Sequence, residues 1–202
     1  MPSRRNFIKS TVGLSVLPLV GHAMPLAAPG GEPYTMPFRM VFDTSLPAGR
    51  AFGEEAAARG GAVIGDTGDW TRVWLKEIDA QWRREPVAVA GLTPHGPMFM
   101  FEQLARRHGM RLVFSAELVR RPAGEAGLTA RGWPTLLSEV PTTIEDEIDW
   151  ARRMAAHLTR IPYAQTPLQL ATMQVGRVRP SPADDPVYAW AIAPVAGAAR
   201  FA

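Results

Sequence analysis

The order of apolar and polar positions predicts strands alternating with helices. Phe38-Arg39-Met40-Val41-Phe42 is a short apolar strand ending at Asp43, and Pro47 to Arg59 follows as a helix closed by Gly60-Gly61. Ala62-Val63-Ile64 makes a second strand that leaves through Gly65-Asp66. Asp69 is a natural N-cap for the next helix, on which Trp70, Val73, Trp74, Ile78 and Trp82 recur at helical spacing down to Arg83-Arg84. A stripe of this kind is expected to be core, since amphipathic helices bury such stripes, in preference to a platform for stacking a ligand.

A third, continuously apolar strand spans Pro86 to Gly91, and Met98, Phe101, Leu104, Ala105 and His108 mark a third helix stopped by Gly109. Arg111-Leu112-Val113-Phe114 is the fourth strand. Beyond Ser115 the pattern loosens into a stretch containing Pro122, Gly124, Gly127, Gly132 and Pro134. Thr143 then opens a helix with Ile144, Ile148, Ala151, Ala155 and Leu158 as its buried stripe. Its acids, Glu145, Asp146, Glu147 and Asp149, precede Arg152 and Arg153, the order a helix dipole favours, and read as a solvated face. Val187 to Ile192 is a last strand that joins the sheet at an edge or in its centre. Strand–helix alternation predicts right-handed crossovers and an α/β fold: a single three-layer domain with a mostly parallel, four- to five-stranded Rossmann-like or flavodoxin-like sheet.

At the amino terminus, Ser3-Arg4-Arg5-Asn6-Phe7-Ile8-Lys9 precedes a modestly apolar stretch from Thr11 to Gly21, then small residues through Ala28. This segment resembles a twin-arginine translocation (Tat) signal, with Arg4, Arg5, Phe7 and Lys9 at the spacing such signals use. Its apolar run is too short to span a bilayer, so it does not read as a membrane anchor. Cleavage fits after Ala23 or Ala27. The expected organisation is a signal peptide over 1–28, a Pro/Gly-rich linker over 29–37 and one α/β domain over 38–202. The resemblance implies recognition by the Tat translocase, export to the periplasm in a folded state, and no membrane anchor after cleavage. Proteins exported in this way include cofactor-bearing redox enzymes and the small subunits that accompany a larger partner.

Charge and composition narrow the classes. The formal charge of +3 sits in the leader: without Arg4, Arg5 and Lys9 the 22 basic residues become 19, equal to the 19 acidic ones. A neutral body gives no electrostatic footprint for nucleic acid. The 202 residues include no cysteine, which excludes disulfides, thiolate-held iron–sulfur clusters, a c-type haem and a cysteine nucleophile. The sequence carries no GxSxG elbow, no phosphate loop and no HExxH motif.

Ligands of open α/β sheets bind outside the carboxyl ends of the strands, which draws attention to the turns there. They contain Asp43-Thr44-Ser45, Gly65-Asp66-Thr67-Gly68-Asp69, Thr93-Pro94-His95-Gly96 and Ser115-Ala116-Glu117. Asp43 and Asp66 are candidate ligands for a divalent cation, His95 is a candidate catalytic base or ligand, and Ser45, Thr67 and Thr93 are candidate ligand-binding hydroxyls. Each also has an ordinary local use: Thr93 and Asp69 as helix caps, Asp66 and Asp43 as turn acceptors. Only His95, between a proline and a glycine, lacks one. Of the other histidines, His108 and His157 read as end-of-helix residues.

Two readings emerge. One is a Tat-exported periplasmic accessory protein that binds a larger partner, plausibly of a redox system, without a catalytic motif of its own. The other is a metal-dependent hydrolase or small-ligand binder using Asp43, Asp66 and His95. Any cofactor would be an oxygen- or nitrogen-ligated divalent metal or a non-covalent small molecule.

Overall fold

The computed structural model describes residues 34–120, 125–141, 143–162, 169–177 and 186–194. These belong to one compact unit, Glu32–Ala202. The twin-arginine segment with Arg4, Arg5, Phe7 and Lys9, and both cleavage positions, lie outside the described residues.

The protein is α/β. Its elements run β1 (Tyr34–Thr35), β2 (Arg39–Asp43), α1 (Pro47–Ala58), β3 (Val63–Asp66), α2 (Trp70–Val73), a π-helical turn (Trp74–Ile78), α3 (Asp79–Arg84), β4 (Val89–Pro94) and α4 (His95–Ala105). A 3-10 turn (Arg106–His108) leads to β5 (Met110–Arg120), β6 (Glu125–Gly132), α5 (Pro134–Ser138), α6 (Glu147–Leu158), β7 (Ile161–Pro162), β8 (Gln169–Arg177) and β9 (Val187–Pro194). The main sheet has seven strands in the order β3-β2-β4-β9-β5-β6-β8, with β8 described by its backbone alone. β1 and β7 form a separate antiparallel pair, so the expected linker over 29–37 contributes a strand at its end.

The parallel sheet expected from the sequence is thus corrected to a mixed, mostly antiparallel one. Only β2 pairs in parallel, with β3 and β4, whereas β4–β9, β9–β5, β5–β6 and β6–β8 are antiparallel. The difference begins at Ser115. From there to Leu118 polar and apolar residues alternate, the signature of a strand wet on one face. Ala116 and Leu118 are buried while Ser115 and Glu117 are half-buried, and the partner strand repeats the pattern with buried Leu128 and Ala130 against half-buried Thr129 and exposed Arg131. A reading tuned to continuous apolar runs ends the strand too early.

Two cores lie on opposite faces of the sheet. One holds Phe52 and Ala56 of α1 with Trp150, Met154 and Leu158 of α6, against Met40, Leu92, Phe114 and Leu128. The other packs Trp70, Trp74, Ile78, Trp82 and Phe101 onto Val41, Val89, Trp190 and Ile192. The tryptophan stripe is therefore core, as its spacing predicts. Its period of four residues explains the π turn. At about 100° per residue, each step of four overshoots a full α-helical turn by roughly 40°, so the stripe would wind off one face. A wider turn at Trp74–Ile78 takes up the excess, and Trp70, Trp74, Ile78 and Trp82 all stay buried. Trp74 meets Trp82 edge-on at 5.3 Å, and the His108 ring lies 5.9 Å and 5.8 Å from the two indoles.

Two further expectations shift. The acidic-led helix starts at Glu147 with Asp146 as its N-cap, accepting from the Asp149 amide at 2.9 Å. Buried Glu147 and Trp150 then belong to its inner side, and Ile148 is exposed. His157 lies in the last turn of α6, as its place in the pattern predicts. Burial lowers its pKa, outweighing the opposing effects of Glu139 and the Leu136 backbone bond. Among the described residues no helix is long and apolar enough to cross a membrane.

β9 holds the two halves of the sheet together, with Trp190 paired across from Gly91. A Cβ at Gly91 would stand 2.6 Å from the Trp190 ring and 2.6 Å from the Val41 carbonyl oxygen, and backbone cannot yield as a side-chain tip does. Gly91→Ala is expected to destabilise the protein by about 1–3 kcal/mol, the usual cost of overpacking, which chemical denaturation checks. An unchanged denaturation midpoint would mean that Trp190 does not seat on this strand as described.

Candidate functional site

β2 and β4 are parallel neighbours whose following helices leave to opposite faces of the sheet. α1 joins the core around Met40, and α4 joins the core around Val41. This divergence is the topological switch point at which open α/β sheets bind ligands. The crevice lies between the Asp43–Ser45 turn and the end of β4 at Thr93–Pro94. A Cβ at Gly49 would overlap the Asp43 carbonyl, so glycine lets the first turn of α1 press onto the end of β2.

The register brings the two candidate carboxylates together. Asp43 pairs with Asp66 across β2 and β3, and both are buried. Each is engaged in local structure. The Asp43 Oδ1 accepts from the Ser45 amide at 2.8 Å and the Ser45 hydroxyl at 2.5 Å, which accounts for Ser45. The Asp66 Oδ1 accepts from the amides of Gly68 at 3.0 Å and Asp69 at 2.8 Å, and its Oδ2 accepts from Arg72. Burial by itself raises the Asp66 pKa. The amide bonds from Asp69 and Gly68, and then the Arg72 charge, outweigh it and hold the carboxyl below its ordinary value of 3.8. Thr67 is exposed in the same turn. Among the described residues no group of three or more histidines, cysteines or acids is placed to hold a metal ion.

Thr93 is fully buried as part of β4, which runs three residues further than the apolar run suggests. Its Oγ1 accepts from the Trp190 indole N–H at 3.0 Å and donates to the Pro94 carbonyl at 3.0 Å. It therefore satisfies a buried indole and is not a helix cap.

His95 opens α4 instead of lying in a free turn. It is exposed, stacks on Phe99 at 6.0 Å with 18° between the planes, and meets Tyr188 edge-on at 5.4 Å. Phe99 is 50% exposed. The Tyr188 phenol is raised above its usual pKa, first by burial and then by the charge and hydrogen bond of Glu117. Glu117 sits directly across from Tyr188 and from Thr129. Ser115-Ala116-Glu117 is therefore strand and not a strand-end turn. Asp66, Asp43, Tyr188, Glu117 and Thr129 form a polar row across the sheet, with Thr93 in its middle.

Sequence pattern thus singles out His95 and places Glu117 in a turn, but it does not point to Phe99 or Tyr188. Phe99 was accessible from its position four residues after His95, on one side of a helix. The pairing of Tyr188 with Glu117 was not, because only the insertion of β9 beside β5 puts them in contact. Searches of protein-family models, curated proteins and solved structures found no match to this chain.

Two outcomes test these assignments. Thr93→Val keeps the shape and removes the indole's acceptor, so a loss of about 1–3 kcal/mol is expected, with Thr93→Ser close to wild type in urea denaturation. Equal stability of the valine variant would leave the buried Thr93 hydroxyl for a ligand. The lowered Asp66 pKa makes a pH-dependent contribution, fully present above 3.8 and lost as the pH falls through the lower folded value. Asp66→Asn is expected to be less stable at neutral pH and to show a flatter stability profile below about pH 4. Parallel profiles for the two proteins would contradict the assignment.

Proposed function

We propose that this protein is a Tat-exported periplasmic accessory protein that binds a larger partner of a redox enzyme system through the rim formed by His95, Phe99 and Tyr188. The observation that carries the reading is the exposure of Phe99, stacked on an exposed His95 at the head of α4. A half-exposed ring backed by a second ring and a tyrosine is the kind of anchor that protein interfaces bury. The twin-arginine resemblance supports export, and Asp43, Asp66 and Thr93 have structural partners that explain them without a reaction.

A second reading, a divalent-metal hydrolase or small-ligand binder, draws on one observation. Asp43 and Asp66 are buried side by side at the switch point. Asp43, Asp66 and a bound water would then form the metal centre, with His95 as general base.

A native mass spectrum of the protein purified from the periplasm of its host separates the readings. A stable complex with a larger protein, lost in His95→Ala/Phe99→Ala with the fold intact, is the expected outcome. A bare protein carrying a metal that Asp43→Asn releases would favour the second reading. Replacing Arg4 and Arg5 by lysine is expected to leave the protein in the cytoplasm, read by cell fractionation. Export unaffected by that change would remove the Tat assignment.

A further inference from the structure

Among the described residues, the helical cover of this face of the sheet ends at the rim. Helices α2 to α4 pack on β2, β4 and β9, while past β9 the same face of β5 and β6 carries Ser115, Glu117, Thr129 and Arg131. The first turns of α4 raise His95 and Phe99 as a wall beside this polar floor. Tyr188 occupies the corner, edge-on to His95 and bonded to Glu117.

The chemistry of the corner is one-sided. An ionised glutamate is an acceptor only. The Tyr188 phenol stands directly across from Glu117 on the neighbouring strand, and its oxygen carries acceptor lone pairs of its own. Phe99 adds a π face, which attracts cations. Among the described residues no arginine or lysine pairs with Glu117, and Arg131 on the same face is exposed without an ion pair. Among the described residues nothing neutralises the Glu117 charge. A complementary group must be positive, rich in N–H donors and flat enough to lie on a ring. A guanidinium meets all three conditions, since it stacks on aromatic faces and presents parallel donors to a carboxylate. An ammonium lacks the planar fork.

We propose that this corner receives an arginine side chain of the partner protein, its guanidinium stacked on Phe99 and donating to Glu117. The inference rests on the partner-binding reading and specifies what that partner presents.

N-acetyl-arginine N-methylamide titrated into the full chain, followed by amide NMR shifts, is expected to bind saturably at this corner. The citrulline analogue, which has the same shape without the charge, is expected to bind on the order of tenfold more weakly. Glu117→Gln is expected to weaken both the arginine probe and the partner complex by a similar factor. Equal binding of the two probes, or a Glu117→Gln protein that holds the partner as tightly as wild type, would overturn the proposal.

The two readings fail differently. If Phe99→Ala dissociates the complex while Glu117→Gln does not, partner binding stands and the arginine assignment falls. If neither change affects the complex, both fall. Should Glu117→Gln lose its cooperative thermal unfolding, Tyr188→Phe is read instead, since it keeps the ring and removes the hydroxyl bonded to Glu117. A several-fold weakening of the arginine probe is then expected, and an unchanged affinity overturns the proposal.

Discussion

The seating of Trp190 against Gly91 is the contact on which the rest of this structure depends. The indole lies fully buried on β9, stacks on Phe101 at 5.5 Å and donates its N–H to Thr93 at 3.0 Å. Only a glycine on β4 leaves room for it, because the Val41 backbone closes the other side. Through this one side chain the final strand is locked between β4 and β5. A parallel β3-β2-β4 segment is thereby joined to an antiparallel β5-β6-β8 segment in a single sheet.

The two segments differ in how they are covered. Helices lie on both faces of the first, so its strands read as apolar runs: Val89 through Leu92 are all buried. In the second, β5 and β6 are covered on the side of Trp150 and Leu158, and their other face carries Ser115, Glu117, Thr129 and Arg131. Function is best sought at the seam. There β9 places Tyr188 between a helix end carrying exposed rings and an open strand face carrying Glu117. The burial that settles Trp190 in the core also raises its neighbour two residues away, Tyr188, to the edge of that core. The buried Trp190 anchor and the half-buried Tyr188 corner thus share one strand.

The carboxylates illustrate a different balance. Asp43 and Asp66 are brought side by side by parallel pairing, which for two buried acids is unfavourable unless each is compensated. Ser45, the amides of Gly68 and Asp69, and Arg72 supply that compensation locally. The ends of β2 and β3 can therefore be acidic and well formed at the same time, whatever else binds there.

Local information was fully present in the chain. The Asp69 cap, the stop at Gly109 in its left-handed conformation, the buried tryptophan stripe and the strands β2, β3 and β4 could all be read from side-chain period and turn chemistry, since these act within a few residues. His95 could be singled out because nothing beside it in sequence explains it. Strand order could not be read, because pairing joins residues such as Gly91 and Trp190 that are remote in the chain, and a half-wet strand such as Met110–Arg120 looks like a loop until a partner covers one face. The same holds for the companions of His95: Phe99 is a local neighbour, but Tyr188 and Glu117 come to it only through the insertion of β9. The sequence by itself determined the helices of the first half of the domain and the faces they bury, because those preferences are short-ranged. Tertiary structure alone decided the direction of the sheet and the make-up of the corner, because both depend on which distant strand fills the gap beside Gly91.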